Sequence, residues 1–156
     1  MASPAPTASP SDKQAVKAWL AVVRAYHLCD ALLAARLAAL GVRTAEHEVL
    51  ANLARDPGIS QQVLAGRCFA AKSHISALLR ALEDRGLVRR DADPSDARAR
   101  QLYLTRAGEA LAKKTLQVQS VIVRAMTEQA SGEDLAFIEA AMQRVSDRLQ
   151  AQLDGA

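Results

Sequence analysis

The sequence predicts a mainly α-helical fold that carries one small β-hairpin. Half of its 156 residues are apolar and only 3% are aromatic, and most of the apolar residues are Ala and Leu, which favour helices. Along most of the chain, apolar residues recur three and four positions apart, as in a helix with one buried face. Near the middle, two short apolar runs, 87–88 and 102–104, flank Asp93-Pro94, a pattern typical of a hairpin.

The first helix is predicted from about Asp12 to Leu40, and Gly41 ends it. Its apolar residues fall on one stripe at helical spacing, namely Trp19, Val22, Val23, Tyr26, Leu33, Leu37 and Leu40. Residues 1–11, "MASPAPTASPS", are rich in Pro, Ala and Ser. This composition favours a disordered tail ahead of the helix.

Three short helices are expected next. The second helix covers about 44–54 and stops at the Asp-Pro-Gly of 56–58. The third begins at Ser60, a residue suited to N-capping, and ends near Cys68. The fourth spans about 71–85 and should bury its apolar side chains, which are Ile75, Leu78, Leu79 and Leu82.

The hairpin should pair 87–91 with 101–105. Because successive side chains of a strand alternate between its two faces, the neighbours Arg89 and Arg90 should point to opposite sides. A fifth helix is predicted from about 106 to 129. Ser131 and Asp134 then resemble a capping box at the start of a sixth helix over 132–153. The apolar positions of the sixth helix form a narrow seam suited to packing on another helix, and they are Leu135, Ile138, Met142, Val145, Leu149 and Leu153.

The order of these elements resembles a winged helix-turn-helix, with the fourth helix in the recognition position and the hairpin as the wing. The chain length suggests one domain, from residue 12 to residue 156. Within it, a lobe over 43–105 would be flanked by helices in 12–42 and 106–156.

Positive charge is concentrated in the middle of the chain. The whole chain carries a formal charge of only +3, which by itself does not indicate a nucleic-acid partner. Residues 67–106, however, contain five acidic residues against nine basic ones, which are Arg67, Lys72, Arg80, Arg85, Arg89, Arg90, Arg98, Arg100 and Arg106. The surplus therefore lies around the predicted recognition helix and wing.

Several fragments, in the right order, resemble the MarR family of bacterial transcriptional regulators. They are "EHEVLANLA" (46–54), "ISQQVLAGRCFAAKSHISALLRALEDRGLVRR" (59–90), "DPSDAR" (93–98) and "LYLTRAG" (102–108). The resemblance implies a homodimer whose N- and C-terminal helices form the interface, the seam of the sixth helix among them. It also implies a palindromic DNA operator, usually released by a small aromatic or phenolic ligand, or by thiol oxidation in one branch.

In the wing, the resemblance places Arg98 in the DNA minor groove, where a narrow groove concentrates negative potential. Asp96 would orient the Arg98 guanidinium through a charge-assisted hydrogen bond. Arg100 would contact DNA or, alternatively, pair with an acidic neighbour. The simpler interpretation of the whole segment is a solvated charged loop.

In the fourth helix, the N-terminal residues would enter the major groove. Lys72, Ser73, His74 and Ser76 are the expected contacts to phosphates or base edges. Arg80, one turn later, would hold the DNA backbone. The alternative for Ser73 and Ser76 is capping of the start of the helix.

An effector site is expected between the DNA-binding lobe and the dimerisation helices, as the resemblance implies. Its candidate residues are Arg24, Tyr26, His27, His47 and Phe69. Aromatic rings and a cation would suit a phenolic, carboxylic or N-heteroaromatic ligand. The alternative is that Trp19, Tyr26 and Phe69 are core residues and that the histidine has a structural role.

The two cysteines, Cys29 and Cys68, form no disulfide framework and indicate free thiols in the cytoplasm. Inert thiols are the expected case, with an oxidant-sensing repressor as the alternative. His27 and Cys29 alone are too few ligands for a metal site. No apolar run approaches a membrane span of about 20 residues, and the N-terminus lacks the apolar stretch of a signal peptide.

An enzyme is not expected, and neither is a cofactor. The sequence contains no nucleophile–base motif, no phosphate loop and no HExxH motif. Besides a ligand-responsive repressor and an oxidant sensor, a further alternative is a helical interaction protein that kept the winged helix and lost DNA binding. Lys72 and Arg98 argue against that class, because both suit contacts to DNA.

Overall fold

The computed structural model describes residues 11–68, 70–92 and 100–155. Its elements, in chain order, are α1 (Asp12–Ala38), α2 (Thr44–Arg55), α3 (Gln61–Arg67), α4 (Lys72–Asp84), β1 (Val88–Ala92), β2 (Arg100–Leu104), α5 (Arg106–Thr127) and α6 (Gly132–Asp154). The predicted mainly α class and the order of the elements are confirmed, and every predicted boundary lies within about two residues of the observed one, the usual uncertainty of helix ends. Of the predicted tail over 1–11, residues 1–10 lie outside the described residues, and Ser11 is the N-cap of α1.

Local capping explains where several helices begin. The Ser11 hydroxyl accepts a hydrogen bond from the backbone N–H of Gln14 at the start of α1. The Ser60 hydroxyl does the same for Val63 at the start of α3. At α6, Ser131 and Asp134 form the predicted reciprocal capping box. Each cap satisfies backbone donors that a helix leaves free in its first turn.

The chain divides into two compact units, residues 1–119 and 120–156, so the division falls inside α5. In the first unit, side chains from the end of α1, from α2, α3 and α4, and from the hairpin form one apolar core. Its largest fully buried apolar residues are Leu37, Leu50, Leu53, Leu64, Ile75, Leu79, Leu82, Leu102 and Val49. The core holds α4 by one face and leaves the opposite face to solvent.

The hairpin is joined to the start of α3 by backbone hydrogen bonds. β1 and β2 are antiparallel, with Val88 opposite Leu104. Leu102 accepts a hydrogen bond from Gly58 (2.8 Å) and donates one to Ile59 (3.0 Å). The segment before α3 therefore extends the sheet beyond β2, which places the wing strands beside the helix-turn-helix.

The start of α5 packs closely on the turn between α4 and β1. The Thr105 hydroxyl donates to the Gly86 carbonyl (2.6 Å) and accepts from the Gly108 N–H (3.1 Å). A Cβ at Gly108 would overlap the carbonyl oxygen of Leu87. Glycine is therefore required at position 108 by the close approach of two backbones.

Most of α1 is exposed in the single chain, and Leu37 is its only buried residue. Trp19 and Tyr26 are 62% and 66% exposed, so the interpretation of these two aromatic residues as core is wrong for the single chain. Phe69, the third, lies outside the described residues. The apolar stripe predicted for α1 exists, but only its C-terminal end joins the core.

By length and composition alone, α1 could cross a membrane, because its most apolar 18-residue window has a mean hydropathy of 1.3. The expectation that no segment resembles a span is therefore wrong by this measure. The finding is weak support for a span, since long helices that pack within proteins pass the same test. Arg24 and Asp30 also lie in the middle of α1, where a charge in a span costs about 2.5–3.5 kcal/mol or more.

The second unit consists of the end of α5 and all of α6. Ile122 is buried there, whereas no residue of α6 is buried. Every side chain of the predicted seam is exposed, from Leu135 to Leu153. Such a continuous apolar face is unusual for a lone helix in water and marks an interaction surface.

Candidate functional site

The fourth helix presents a polar face to solvent. Ile75, Leu78, Leu79 and Leu82 are buried, as predicted. Ser73 and Arg80 lie toward the opposite side and are exposed, Lys72 and His74 in the first turn are also exposed, and Ser76 is half-buried. The structure thus brings together the five residues of α4 that the sequence singled out.

Neither serine caps α4. The N-cap residue is Ala71, whose side chain makes no capping hydrogen bond. The hydroxyl of Ser76 instead accepts a hydrogen bond from Gln61 Nε2 at 2.5 Å. The capping alternative for Ser73 and Ser76 is therefore wrong, and the side chain of Ser73 projects into solvent beside Lys72.

Among the described residues, four of the basic residues in 67–106 form ion pairs within the chain. Arg67 pairs with Asp56, Arg85 with Glu46, Arg89 with Asp91 and Arg90 with Glu83. The charge count made from the sequence included all four in the positive region 67–106. Within the described segments 11–68, 70–92 and 100–155, Lys72 and Arg80 have no carboxylate partner, so the unpaired charge of α4 lies on its exposed face.

Glu46 joins the start of α2 to the end of α4. Its Oε2 accepts from the backbone N–H of Arg43 (2.8 Å), and its Oε1 lies 3.2 Å from Arg85 Nη1. Burial alone would raise the pKa of Glu46. The hydrogen bonds from Arg43, together with the charges of Arg43 and Arg85, more than offset burial and hold that pKa below its usual range.

The two arginines of β1 have different partners. The Arg89 guanidinium lies over the ring of Tyr103, 4.6 Å from its centroid, and also pairs with Asp91. Arg90 donates from Nε to Glu83 (2.8 Å) and from Nη1 to Gln61 Oε1 (3.2 Å). This arrangement agrees with the predicted opposite orientation and assigns Arg90 to contacts with α3 and α4.

Gln61 is a residue of this surface that the sequence reasoning missed. It lies in the first turn of α3, where no periodicity or motif distinguishes it. Its side chain bridges Arg90 of β1 and Ser76 of α4. Only folding brings these three positions together, since Gln61 is 15 residues from Ser76 and 29 from Arg90 in sequence.

The tip of the wing lies outside the described residues. Asp96 and Arg98 both fall in the segment 93–99, so their predicted roles stay predictions. Arg100 opens β2, is exposed and pairs in register with Ala92 of β1.

Of the five ligand candidates, His47 is buried and three residues of α1 are exposed. His47 is only 3% exposed, and burial lowers the pKa of its imidazole even though a side-chain hydrogen bond to Gln119 of α5 acts in the opposite direction. Its Nδ1 has no hydrogen-bond partner among the described residues. Arg24, Tyr26 and His27 face solvent, with the Tyr26 and His27 rings 5.6 Å apart, and Phe69 is not described.

A shallow cavity of about 430 Å³ lies at the corner between α1 and α2. Its lining is Ala34, Ala38, Gly41, Val42, Arg43 and Thr44. None of the four described ligand candidates, Arg24, Tyr26, His27 and His47, lines it. The corner therefore does not coincide with the effector site that the sequence suggested.

Both cysteines are free and half-buried. Burial, together with the negative charge of Glu48, raises the pKa of the Cys68 thiol. A raised pKa leaves little reactive thiolate at neutral pH. Within the described part of the chain, no group of three or more His, Cys, Asp or Glu side chains could hold a metal ion.

Comparisons with known proteins agree with this geometry. Residues 40–99 match the sequence model of the MarR family. The chain is 34% identical, over 119 residues, to the HTH-type transcriptional repressor Rv2887 of Mycobacterium tuberculosis. The aligned region covers 76% of this chain and 80% of that protein. It is 32% identical over 89 residues to the transcriptional regulator HosA of Escherichia coli O111:H-, spanning 57% of this chain and 66% of HosA, just under two thirds of its length.

Among solved structures, the chain is similar to AbsC, a MarR family transcriptional regulator from Streptomyces coelicolor. The TM-score is 0.81 at 25% sequence identity, and the match covers 93% of this chain and 99% of AbsC. The likeness therefore extends well beyond the helix-turn-helix, to the helices on both sides of it.

Proposed function

The chain belongs to the MarR family of transcriptional regulators, and from that premise we propose that it is a dimeric, sequence-specific DNA-binding repressor. A small aromatic ligand would release it from a palindromic operator. Its relatives are transcriptional regulators and not enzymes, so its action is binding and release on cytoplasmic DNA.

The exposed face of α4 is the observation that carries the proposal. Lys72 and Arg80 supply cations that have no carboxylate partner in the described part of the chain, which suits phosphate oxygens. Ser73, His74 and Ser76 supply polar groups near the N-terminal end of the helix, where a recognition helix meets base edges. The four buried apolar residues fix this face outward.

The wing would add a second contact. In this proposal Arg98 enters the minor groove, Asp96 orients its guanidinium, and Arg100 contacts the neighbouring backbone. The backbone hydrogen bonds between β2 and the segment before α3 support this arrangement, because they hold the base of the wing against the helix-turn-helix.

Dimerisation would cover the exposed apolar faces. Burying one Val, Leu, Ile, Phe or Met side chain stabilises an assembly by about 1.5–3 kcal/mol. The α6 seam supplies six such residues, Leu135, Ile138, Met142, Val145, Leu149 and Leu153. A two-fold dimer would present two α4 helices to half-sites separated by about one duplex turn, roughly 34 Å, which is why the operator should be palindromic.

A ligand would act by preferring a dimer in which the two α4 helices have a different spacing. It shifts the population only through its differential affinity for the two states. His47 supports a site near α2 and α5, because a buried imidazole with an unpartnered Nδ1 can hydrogen-bond a polar group. Arg24, Tyr26, His27 and Phe69 remain the proposed partners for the carboxylate and the ring.

An oxidant-sensing repressor is the second candidate. The raised pKa of Cys68 disfavours that thiol as the sensor, which leaves Cys29 as the residue to test. A winged-helix interaction protein without DNA binding is disfavoured by the unpaired cations of α4.

Fluorescence-polarisation binding to the DNA upstream of the gene tests the proposal. We would measure it at two salt concentrations, with and without a panel of small aromatic acids. Tight, salt-sensitive binding that one acid abolishes is the expected result. Binding that only oxidants abolish would favour the thiol sensor, and absence of binding to that DNA and to a random-sequence pool at low salt would contradict the proposed function.

A further inference from the structure

Four side chains from three elements form a continuous hydrogen-bonded chain beside the exposed face of α4. Glu83 of α4 accepts from Arg90 Nε (2.8 Å), Arg90 Nη1 donates to Gln61 Oε1 (3.2 Å), and Gln61 Nε2 donates to Ser76 Oγ (2.5 Å). The chain starts in the last turn of α4, passes through β1 and α3, and returns to α4 one residue beyond Ile75.

The direction of every hydrogen bond in this chain follows from the chemistry of Arg90. A guanidinium carries donors and no acceptor, so the Gln61 atom that faces it must be the amide oxygen. The amide nitrogen of Gln61 is then turned toward Ser76. Since that nitrogen is only a donor, the Ser76 hydroxyl must accept.

A serine hydroxyl that accepts one hydrogen bond still has its own proton to donate. Among the described residues, the Ser76 hydroxyl donates to no partner, and the residue is half-buried at the edge of the exposed face. We propose that Arg90 and Gln61 keep the Ser76 proton turned away from Gln61 and available to DNA, so that Ser76 donates a hydrogen bond to an acceptor on a base edge in the major groove. This inference rests on the proposed function of α4 as a recognition helix.

The direction of this hydrogen bond matters for sequence readout. A hydroxyl that donates its proton to a protein acceptor has only lone pairs left for DNA, whereas Ser76 keeps its proton for a base acceptor. The major-groove acceptors are N7 and O6 of guanine, N7 of adenine and O4 of thymine, whereas cytosine offers only a donor. Ser76 donating its proton would therefore find no acceptor on cytosine at its position. Gln61 and Arg90 are thus positioning residues, because they act through Ser76.

The ion pair with Glu83 makes the arrangement persistent. The side chains of Arg90 and Glu83 are 31% and 27% exposed, so both are partly withdrawn from solvent. Glu83 holds the Arg90 guanidinium by its Nε and leaves Nη1 for Gln61. The sequence gives no sign of this role, and Arg90 would otherwise count as one more DNA-facing cation.

The test begins with a duplex that the full-length wild-type protein selects from a random-sequence pool. Synthetic versions of that duplex each lack one major-groove acceptor, through 7-deazaguanine, 7-deazaadenine, 2-aminopurine in place of guanine, or 5-methyl-2-pyrimidinone in place of thymine. A parallel set carries single methylphosphonates in place of phosphates. The readout is the ratio of Kd between each altered duplex and the parent duplex.

With the wild-type protein, deletion of one base acceptor should weaken binding roughly 5- to 100-fold, the range for a specific base contact. Ser76→Ala should bind the parent more weakly and show no further loss on the altered duplex. Gln61→Glu should behave like Ser76→Ala, because a carboxylate only accepts and would turn the Ser76 proton inward. The double variant with Gln61→Glu and Ser76→Ala should show the same ratio of Kd values as either single variant.

Gln62→Glu is the matched control, because it adds the same charge to α3 at an exposed neighbouring position. It should weaken binding to all duplexes and keep the wild-type ratio. Gln61→Leu is a second variant that removes the amide without adding charge, and it should lose part of the discrimination, because nothing then keeps the Ser76 proton turned toward DNA. Circular dichroism melting verifies that each variant is folded.

Three results would overturn the inference. In the first, Gln61→Glu and Gln61→Leu keep the full wild-type ratio. In the second, only methylphosphonates separate wild type from Ser76→Ala, which makes Ser76 a phosphate contact. In the third, no altered duplex separates the two proteins at all. Failure of the wild-type protein to enrich any duplex is a different outcome, since it contradicts the proposed function itself.

Discussion

Arg85 fastens the end of α4 to the buried carboxylate of Glu46. Its Nη1 lies 3.2 Å from Glu46 Oε1, and its Nη2 donates to the Gly41 carbonyl at 3.3 Å. One guanidinium therefore connects the C-cap of α4 to the start of α2 and to the turn that follows α1. A charge counted in the positive middle of the sequence, at Arg85, therefore has a structural role.

Loss of this contact should destabilise the first unit. Arg85→Ala leaves the Glu46 carboxylate with fewer partners in a buried position, and the expected loss is about 1–3 kcal/mol of unfolding free energy. Arg67→Ala is the control, because its pair with Asp56 is exposed and should contribute about 0.2–1 kcal/mol. Urea denaturation at neutral pH measures both variants, and equal losses would contradict the structural role of Arg85.

Glu46 should also make stability depend on acid pH. Its pKa in the folded chain is below the ordinary value of 4.5, so the unfolded chain takes up its proton first as the pH falls. The stabilisation is present above about pH 4.5 and is lost as the pH falls through the folded pKa. Comparison of urea denaturation of the wild type and Glu46→Gln at several acid pH values should show a shallower loss in the variant; identical slopes would argue against this assignment.

His47 should contribute a second pH dependence, in a higher range. Its folded pKa lies below 6.5, so the unfolded chain binds the proton more readily. Stability should fall as the pH drops below about 6.5, because the buried imidazole resists protonation. His47→Gln should remove this component, whereas His27→Gln, on the exposed surface of α1, should keep it. Denaturation midpoints between pH 7.5 and 5 provide the measurement, and an unchanged slope in His47→Gln would exclude His47 as the source.

Gly108→Ala should destabilise the protein strongly. The added Cβ overlaps the Leu87 carbonyl oxygen, and two packed backbones would have to move apart. We expect a loss of about 2 kcal/mol or more, as for overpacking of a core. Gly66→Ala is the matched control, since nothing lies within 4 Å of its added Cβ and alanine favours a helix by about 1 kcal/mol. Thermal melting should therefore move in opposite directions for the two variants.

The α6 seam predicts which substitutions disrupt a dimer. Val145→Asp and Leu149→Asp place a charge in the proposed interface and should shift the protein toward the monomer in sedimentation velocity. Ala140→Asp is the control, because position 140 lies about 140° around the helix from Val145. A variant of Val145 or Leu149 that sediments like the wild-type dimer at low micromolar concentration would refute this interface.

The wing supplies the last prediction. Arg98→Ala should weaken operator binding by about 1–3 kcal/mol at fixed salt, as expected for a specific groove contact. Arg67→Ala, whose guanidinium already pairs with Asp56, should bind nearly as tightly as the wild type. Fluorescence polarisation with the selected duplex decides the matter, and equal affinities for wild type and Arg98→Ala would remove Arg98 from the interface.

Much of the fold was predictable because its signals are local. Apolar spacing marked the buried face of α4, the serines at 60 and 131 marked helix starts, and Asp93-Pro94 marked the hairpin. The polar face of α4 was predictable for the same reason, since the periodicity that buries Ile75 and Leu79 places Ser73 and Arg80 toward the opposite side of the helix. The fate of Trp19 was not predictable in this way, because helical periodicity indicates an apolar face and not what covers it.

The sequence by itself determined the helices, the hairpin and the side of α4 that faces solvent, because each depends on contacts between residues a few positions apart. Only the tertiary structure decided which charges remain free and which are paired. Arg85 and Glu46 are 39 residues apart, and Gln61 and Arg90 are 29 apart, so no spacing rule connects them. Their pairing follows from how α2, α3, α4 and β1 pack around the common core.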